Sequence, residues 1–371
     1  MIRLRPAFRL WPALLFAVGA AAAPAAGYPA AEWSRAGVSG GIPAGLAVVS
    51  RATPEDDLQA LIDAAPATGG VIALSAGRYR LETTLRLRTG IVLRGTGPLT
   101  TIIELALRSD RPADLRDPRP GEWTAGLLLS EVERAGLMNL AVVFVSSGPP
   151  PDLTSSQAFA DNPGRQTDLH VVSILLDRAA NSWVANCVIK NSGSHPLVVA
   201  ESRHITLENL ELNGAHNRGP GSGSLALVGS EAVLVTDLQA RAINSVVLQS
   251  GAAPCRGNVF LHARFETDLR LHGAGTAANL FENCVITIPA WLNRPPLSPG
   301  NARAREAPPG PDNLLHLCTV TRHFPVDRRV FSLAADPSKI YRVVDHPVRD
   351  GASPVVIAGP APDAPSLLPA R

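Results

Sequence analysis

Aromatic side chains make up only 5% of the 371 residues, and there are four cysteines. So low an aromatic content disfavours a sugar-stacking groove and leaves Trp123, Trp291 and Phe324 to supply platforms from loops. Four cysteines in a chain this long do not make a disulfide scaffold. They stand at Cys187, Cys255, Cys284 and Cys318 without Cys-x-x-Cys spacing, which argues against zinc. Strong charge of either sign is also missing. The formal net charge is +2, and nearly all the basic residues are arginine. Beyond the N-terminus no apolar run is long enough to read as a membrane span.

What the N-terminus does have is a basic start at Arg3, Arg5 and Arg9, an apolar run from Leu10 to Ala23, and small residues at Ala25, Ala26 and Gly27. This is the order of a secretory signal peptide over residues 1–27, in a run shorter than the roughly 20 residues of an easy span. An uncleaved anchor is the alternative. Cleavage removes three arginines and no acid, leaving 31 basic against 32 acidic residues and a net charge of −1. Nucleic-acid and membrane-surface partners lose their support with it. The expected location is secreted or periplasmic, and the expected state a monomer.

Residues 28–52 are rich in Ala, Gly and Ser and read as a linker or N-terminal cover. Leu58, Leu61 and Ile62 then recur at helical spacing between Thr53 and Ala65. Thr53 is the expected N-cap, with Pro54 at the first helical position and acids at 55–57. After Pro66 the period changes to that of strands: Val71–Leu74, Leu85–Leu87 and Ile91–Leu93, punctuated by Gly69, Gly70, Gly77, Gly90, Gly95 and Gly97. This stretch, residues 58–103, resembles the N-terminal cap and first coils of the pectin lyase-like superfamily. The resemblance implies an all-β fold, a single-stranded right-handed parallel β-helix with three short strands per coil and an N-terminal capping α-helix. It says little about activity, because lyases, hydrolases and phage tailspikes share such an opening.

An internal repeat carries the same expectation independently. Five segments, Ile174–Asp177, Leu197–Ala200, Leu225–Val228, Val246–Gln249 and Leu269–His272, begin 23, 28, 21 and 23 residues apart. Strand alternation sends first and third members one way. Those ten residues are all branched aliphatics, as an interior stack requires. Leu127–Leu129 fits as an earlier rung. A second strand follows in each repeat (Trp183–Val184, Ile205–Leu207, Val233–Val235, Val259–Leu261, Leu280–Phe281), and a third includes Cys187–Ile189 and Leu210–Leu212. Asn186, Asn209, Asp237, His262 and Asn283 recur near the corner between them, as a ladder of stacked side chains would. Residues 53–343 are therefore expected to be one β-helix domain, with loops at 146–168 and 289–313 and a Pro/Ala-rich tail over 344–371.

The outward members of the first strand are apolar in the upper repeats, but the last two carry Gln249, Arg270 and His272. Asp268 precedes them at strand spacing, so Asp268, Arg270 and His272 share one side of an expected exposed face. His316, on a further rung, would extend the patch. A uronate lyase needs a cation to neutralise the carboxylate and a base to take the C5 proton; Arg270 and His272 suit those roles. Asp268 is as readily a strand cap, Arg270 a surface ion-pair partner of Asp268 or Glu266, and His272 a strand end. His216 and Arg218, beside Gly219, Gly221 and Gly223 in the longest turn, read as a substrate-binding loop or a plain solvated turn. His195 and His204 look structural.

The acidic motifs of the polygalacturonases are absent: Asp56-Asp57 is the only Asp pair, and it lies in the helix. Nor do the outward positions offer the carboxylate cluster of calcium-dependent pectate lyases, so no cofactor is expected and calcium is unsupported. The leading expectation is a uronate-polysaccharide lyase whose partner is a glycan. The alternatives are a non-catalytic glycan-binding or structural β-helix protein, a glycoside hydrolase, and a carbohydrate C5-epimerase. One consequence is testable at once. Cys187 and Cys284 hold the same place four rungs apart, about 19 Å at strand spacing, beyond disulfide reach. Non-reducing peptide mapping is expected to find no Cys187–Cys284 bridge; finding one would break the coil register.

Overall fold

The structure is a computed structural model that describes residues 29–116, 119–146, 148–151, 166–219, 221–289, 291, 307, 309–322, 342–344, 356–357 and 366–368. The expected signal peptide and Phe324 lie outside them, as do most of the expected tail and of the two long loops. No described helix is long and apolar enough to cross a membrane.

The aliphatic ladder sets the coil. Ile174, Leu197, Leu225, Val246 and Leu269 align residue on residue through successive parallel pairings, and Leu127 stands one rung before Ile174. Nine of the ten inward residues are wholly buried, and Leu271 packs against the same core. That core runs without a break from Ala52 to Val320. Its second column holds Val184, Leu207, Val235, Phe260, Phe281 and Leu315 in register. Phe260 and Phe281 stack with centroids 4.6 Å apart. The fold is the expected right-handed parallel β-helix.

Strands are less separate than three per coil implies. Trp183–Ser192 runs on through the second and third sheets, and Leu234–Gln249 through all three. The corner column explains how. Asn139, Asn186, Asn209, Asp237, His262 and Asn283 all have φ between 49° and 55°, a left-handed conformation that Asn and Asp tolerate best. Each turns the chain by one residue without ending the ladder. Among the described residues this column makes a single side-chain amide bond, Asn209 Nδ2 to Asn186 Oδ1 at 2.9 Å. The column thus serves the backbone more than it forms the expected amide stack.

The buried amide ladder is elsewhere. Asn258, Asn279 and Asn313 occupy one turn position, where Asn258 Nδ2 donates to Asn279 Oδ1 at 2.9 Å and Asn279 Nδ2 to Asn313 Oδ1 at 2.8 Å. Their side-chain oxygens also accept the Val233, Asn258 and Asn279 backbone N–H groups. Ser182, Ser202 and Ser230 serve the coils above in the same way.

A helix forms at Leu58–Ala64, with Leu58 and Ile62 in the core. It starts later than expected, for a local reason. The Thr53 N–H and hydroxyl both bond to Asp56 Oδ2, which holds that carboxyl below its ordinary pKa. Asp57 is left to cap the helix by accepting from Ala60 N–H at 3.0 Å. Arg88 Nη1 donates to the carbonyls of Ile62, Asp63 and Ala65 at the other end.

All four cysteines are free and buried, as small apolar residues would be. Burial pushes the Cys187 and Cys255 thiols up to about 12. Cys284 and Cys318 fall on adjacent rungs, just before the Val285–Thr319 pair.

The Asn ladder gives the sharpest stability test of the fold. Asn279→Leu removes the acceptor of Asn258 and the donor to the Cys255 carbonyl in a fully buried turn. It is expected to cost about 3 kcal/mol in urea unfolding, whereas Gln239→Ala on the exposed third sheet should stay within about 0.5 kcal/mol. Equal effects would mean the ladder is not what satisfies this turn.

Candidate functional site

Alternation along Arg264–His272 sends Asp268, Arg270 and His272 outward from the first sheet while Leu269 and Leu271 pack inward. The preceding rung sets Ser245, Val247 and Gln249 directly opposite them. Gly273 closes the strand at φ +82°, where a Cβ would meet Ser250 Oγ at 2.2 Å; its N–H donates to the Ala307 carbonyl at 2.8 Å. Thr276 Oγ1 accepts from Ser250 N–H at 2.7 Å and donates to the His272 carbonyl, fixing the strand end. Asp268 is wholly buried, His272 is 5% exposed and Arg270 half-buried. The open face expected for these residues is therefore corrected: the patch is enclosed, and of the three only Arg270 keeps substantial exposure.

The rungs before the patch are apolar on their outward side. Leu128, Leu175, Val198, Ala226 and Val247 point outward and need a cover, which residues 106–116 and 119–124 supply between the third-sheet strand Thr101–Leu105 and the first-sheet strand Ala125–Ser130. This strap lays Ala113, Leu115 and Trp123 on the sheet. Polar bonds fasten it along its length. Ala113 N–H donates to His170 Nδ1 at 3.2 Å, and the Ala113 carbonyl accepts from Ser222 Oγ at 3.3 Å. Leu115 N–H donates to the Gly221 carbonyl at 2.9 Å. Gln249 Nε2 donates to the Leu115 carbonyl at 3.0 Å. Gln249 thus anchors the strap at Leu115, one rung from His272.

His195 is the middle fastening. Its ring stacks on Trp123, with centroids 5.4 Å apart and planes at 9°. A neutral ring protonated at Nε2 satisfies both edges, accepting from Ser224 N–H at Nδ1 (3.2 Å) and donating to the Ala113 carbonyl at 3.3 Å. Burial, opposed by its carbonyl partners, lowers the imidazole to about 4. Near the tip, burial works to raise the Asp114 carboxyl, but hydrogen bonds and charge from Arg116 outweigh it and hold the group below its usual range. Asp177, outward on an upper rung, is raised by burial despite the Ser130 hydroxyl and Arg178 beside it.

Other expected site residues are placed differently. His216 and Arg218 are 7% and 3% exposed, neither an open loop nor a solvated turn. Arg218 Nη1 donates to the Ala242 carbonyl at 3.2 Å. His216 sits edge-on to Phe144 at 5.9 Å, and its ring is lowered first by burial and then by Arg218 and Arg108. Their turn feeds the Leu225–Val228 rung, two rungs from the patch.

His316 does not extend the patch. It pairs with Glu282 on the second sheet, 3.8 Å from Glu282 Oε1. That carboxylate also accepts from Leu367 N–H at 2.9 Å and Ser366 Oγ at 3.1 Å. Trp123 is a strap residue buried against the sheet and Trp291 packs in the core, so neither is an exposed platform. His195 is structural, as expected, and His204 Nδ1 meets the Arg35 carbonyl at 3.1 Å. Missed from sequence were the strap and its fastenings at Ala113, His170 and His195. The signal for them was the outward apolar column, which had to be covered by something.

No family profile matches the sequence, and no curated protein does. Solved structures do match. A polygalacturonase from Erwinia carotovora ssp. carotovora superposes with a TM-score of 0.51 at 12% identity, over 76% of this chain and 73% of that one. The ybhc protein of Escherichia coli gives 0.50 at 13% identity, over 75% and 86%. At such identity the likeness is one of fold alone, that of a right-handed parallel β-helix.

The His195 geometry fixes a pH dependence. The folded ring titrates near 4, below its ordinary 6.5, so its contribution is complete above about pH 6.5 and is lost as pH falls toward 4. The full loss is on the order of 3 kcal/mol. Urea unfolding at pH 7 and pH 4 is expected to show the wild type losing about that much more than His195→Gln. Parallel losses in the two proteins would exclude His195 as the pH-sensitive fastening.

Proposed function

We propose that this chain is an exported, monomeric β-helix protein that acts on a polysaccharide through Asp268, Arg270 and His272, with residues 53–343 as its working unit. The observation that carries the reading is the register. An acid, a permanent cation and an imidazole stand at successive outward positions of one rigid strand, one rung past the bond between Gln249 and Leu115. Sites built on strands hold their geometry better than sites on loops.

The residue types favour proton abstraction beside a carboxylate. Arg270 would hold a uronate carboxylate and stabilise the charge developing at C5, and His272 would take the C5 proton. Asp268, buried two residues before Arg270 on the same side of the strand, would add the local acid. In beta-elimination the C5–H electrons form the C4–C5 double bond as the C4–O bond breaks, and the leaving oxygen takes a proton back from His272 or from water; return of a proton to C5 from the opposite face would make the same site an epimerase.

Hydrolysis is the second reading, and the solved polygalacturonase of the same fold favours it. It needs two carboxyls across the scissile bond. The outward positions of the lowest two paired rungs supply one, Asp268, beside Ser245, Val247, Gln249, Arg270 and His272.

A panel of polygalacturonate, alginate, hyaluronan, xylan and α-1,3-glucan, followed both for unsaturated uronate ends and for new reducing ends, separates the readings. Elimination is expected on an acidic polymer. Arg270→Ala and His272→Ala should each lower kcat by about 10²- to 10⁴-fold with the fold intact. Turnover unchanged in both variants would remove these residues from the site. Reducing ends without unsaturation would establish hydrolysis, and binding without turnover a glycan-binding module.

A further inference from the structure

One inward column changes character toward the C-terminus. At the corner between the second and third sheets it runs Cys187, Leu210, Leu238, Ala263, Cys284 and Cys318, each one rung from the next and all in the core. Cys187 therefore has a leucine above it, and Leu140 precedes it on the other side. Cys255 stands apart in a turn, paired with Thr276. Cys284 and Cys318 alone among the cysteines stand on neighbouring rungs at one position.

Their stacking is fixed by the backbone. Val285 N–H donates to the Ala263 carbonyl at 2.8 Å and Thr319 N–H to the Cys284 carbonyl at 2.9 Å. At strand spacing their Cα atoms are about 4.8 Å apart, inside the roughly 4.4–6.8 Å that a disulfide spans. The side chains also lean the right way. Cys318 Sγ donates to the Phe281 carbonyl at 3.2 Å, and Phe281 belongs to the Cys284 rung. Burial first, and then a side-chain hydrogen bond with Cys284, raise the Cys318 thiol well above its ordinary value.

We propose that Cys284 and Cys318 are a disulfide site, closed under oxidising conditions to staple two adjacent coils across residues 285–317, while Cys187 and Cys255 stay thiols. The oxidant is a small disulfide such as glutathione disulfide. One cysteine thiolate attacks it, releasing one glutathione thiolate and leaving a mixed disulfide on the protein. The second cysteine thiolate attacks that protein sulfur and releases the other glutathione. Two S–H bonds are lost, one S–S bond forms, the two protons pass to the glutathione thiolates, and the oxidant is reduced to two thiols. Buried thiols are inert, so the bond closes before the later coil packs, and packing then shields it. An exported protein meets such an oxidant outside the cytosol.

The test supplies the oxidant without relying on export. The full chain is produced in a host whose cytoplasm is oxidising, alkylated in urea before any reduction, and digested with trypsin. Cleavage after Arg303 and Arg305 puts Cys284 and Cys318 in different peptides. A linked pair of those peptides is expected, with Cys187 and Cys255 alkylated, and Cys187→Ala/Cys255→Ala should keep the link. The bridged protein should unfold at a higher urea midpoint than the same protein in dithiothreitol. Cys284→Ala/Cys318→Ala should show no such difference. Alkylation of all four cysteines would overturn the proposal, as would a bridge of any other pairing. A bridged protein with an unshifted midpoint would overturn the staple.

Discussion

Successive coils hydrogen-bond in parallel and in register, so that each residue sits on its counterpart one rung away. From that one constraint the rest of the molecule follows. A strand shifted by one residue would turn its inward column outward, so the inward places must all be apolar, and Ile174, Leu197, Leu225, Val246 and Leu269 obey. The corner must repeat as well, which is why residue after residue at that position adopts the same left-handed φ. Polar groups trapped in the turns stack too, and the Asn258–Asn279–Asn313 ladder satisfies them from coil to coil.

The outer faces divide according to what they expose. The third sheet carries Glu211, Gln239, Arg241, Arg264 and Glu266 outward and needs no cover. The second is apolar at Trp183, Leu234, Val259, Leu280 and Leu314, and residues 29–46 lie across it with Trp33 and Val38 buried. Trp33 Nε1 donates to the Ala278 carbonyl at 2.7 Å. The first is covered at its apolar outward residues by the described part of the 106–124 strap. One rung past Gln249 that outward column turns polar, at Arg270 and His272.

Much of this was legible in the chain. Strand positions, coil period, the inward ladder and the shared side of Asp268, Arg270 and His272 all follow from the two-residue alternation, which is local. The role of the corner column was legible only in part: its recurrence shows in sequence, but its φ does not. His316 was misplaced because one repeat offers three faces, and the interruption at 289–313 hid which face resumes after it. His216 and Arg218 looked open because Gly-rich turns usually are; here neighbouring turns and Phe144 close over them.

The sequence by itself determined the coil, since hydrophobic burial acts on a pattern that each strand carries within a few residues. It did not determine exposure. Whether Val198, Ala226 and Val247 meet solvent depends on a segment some 100 residues earlier folding back across the first sheet, and no local pattern encodes that contact. Trp123 likewise became a clamp on His195, not a platform, because an aromatic ring is buried wherever apolar surface is offered to it. Only the tertiary structure could decide which surface that was.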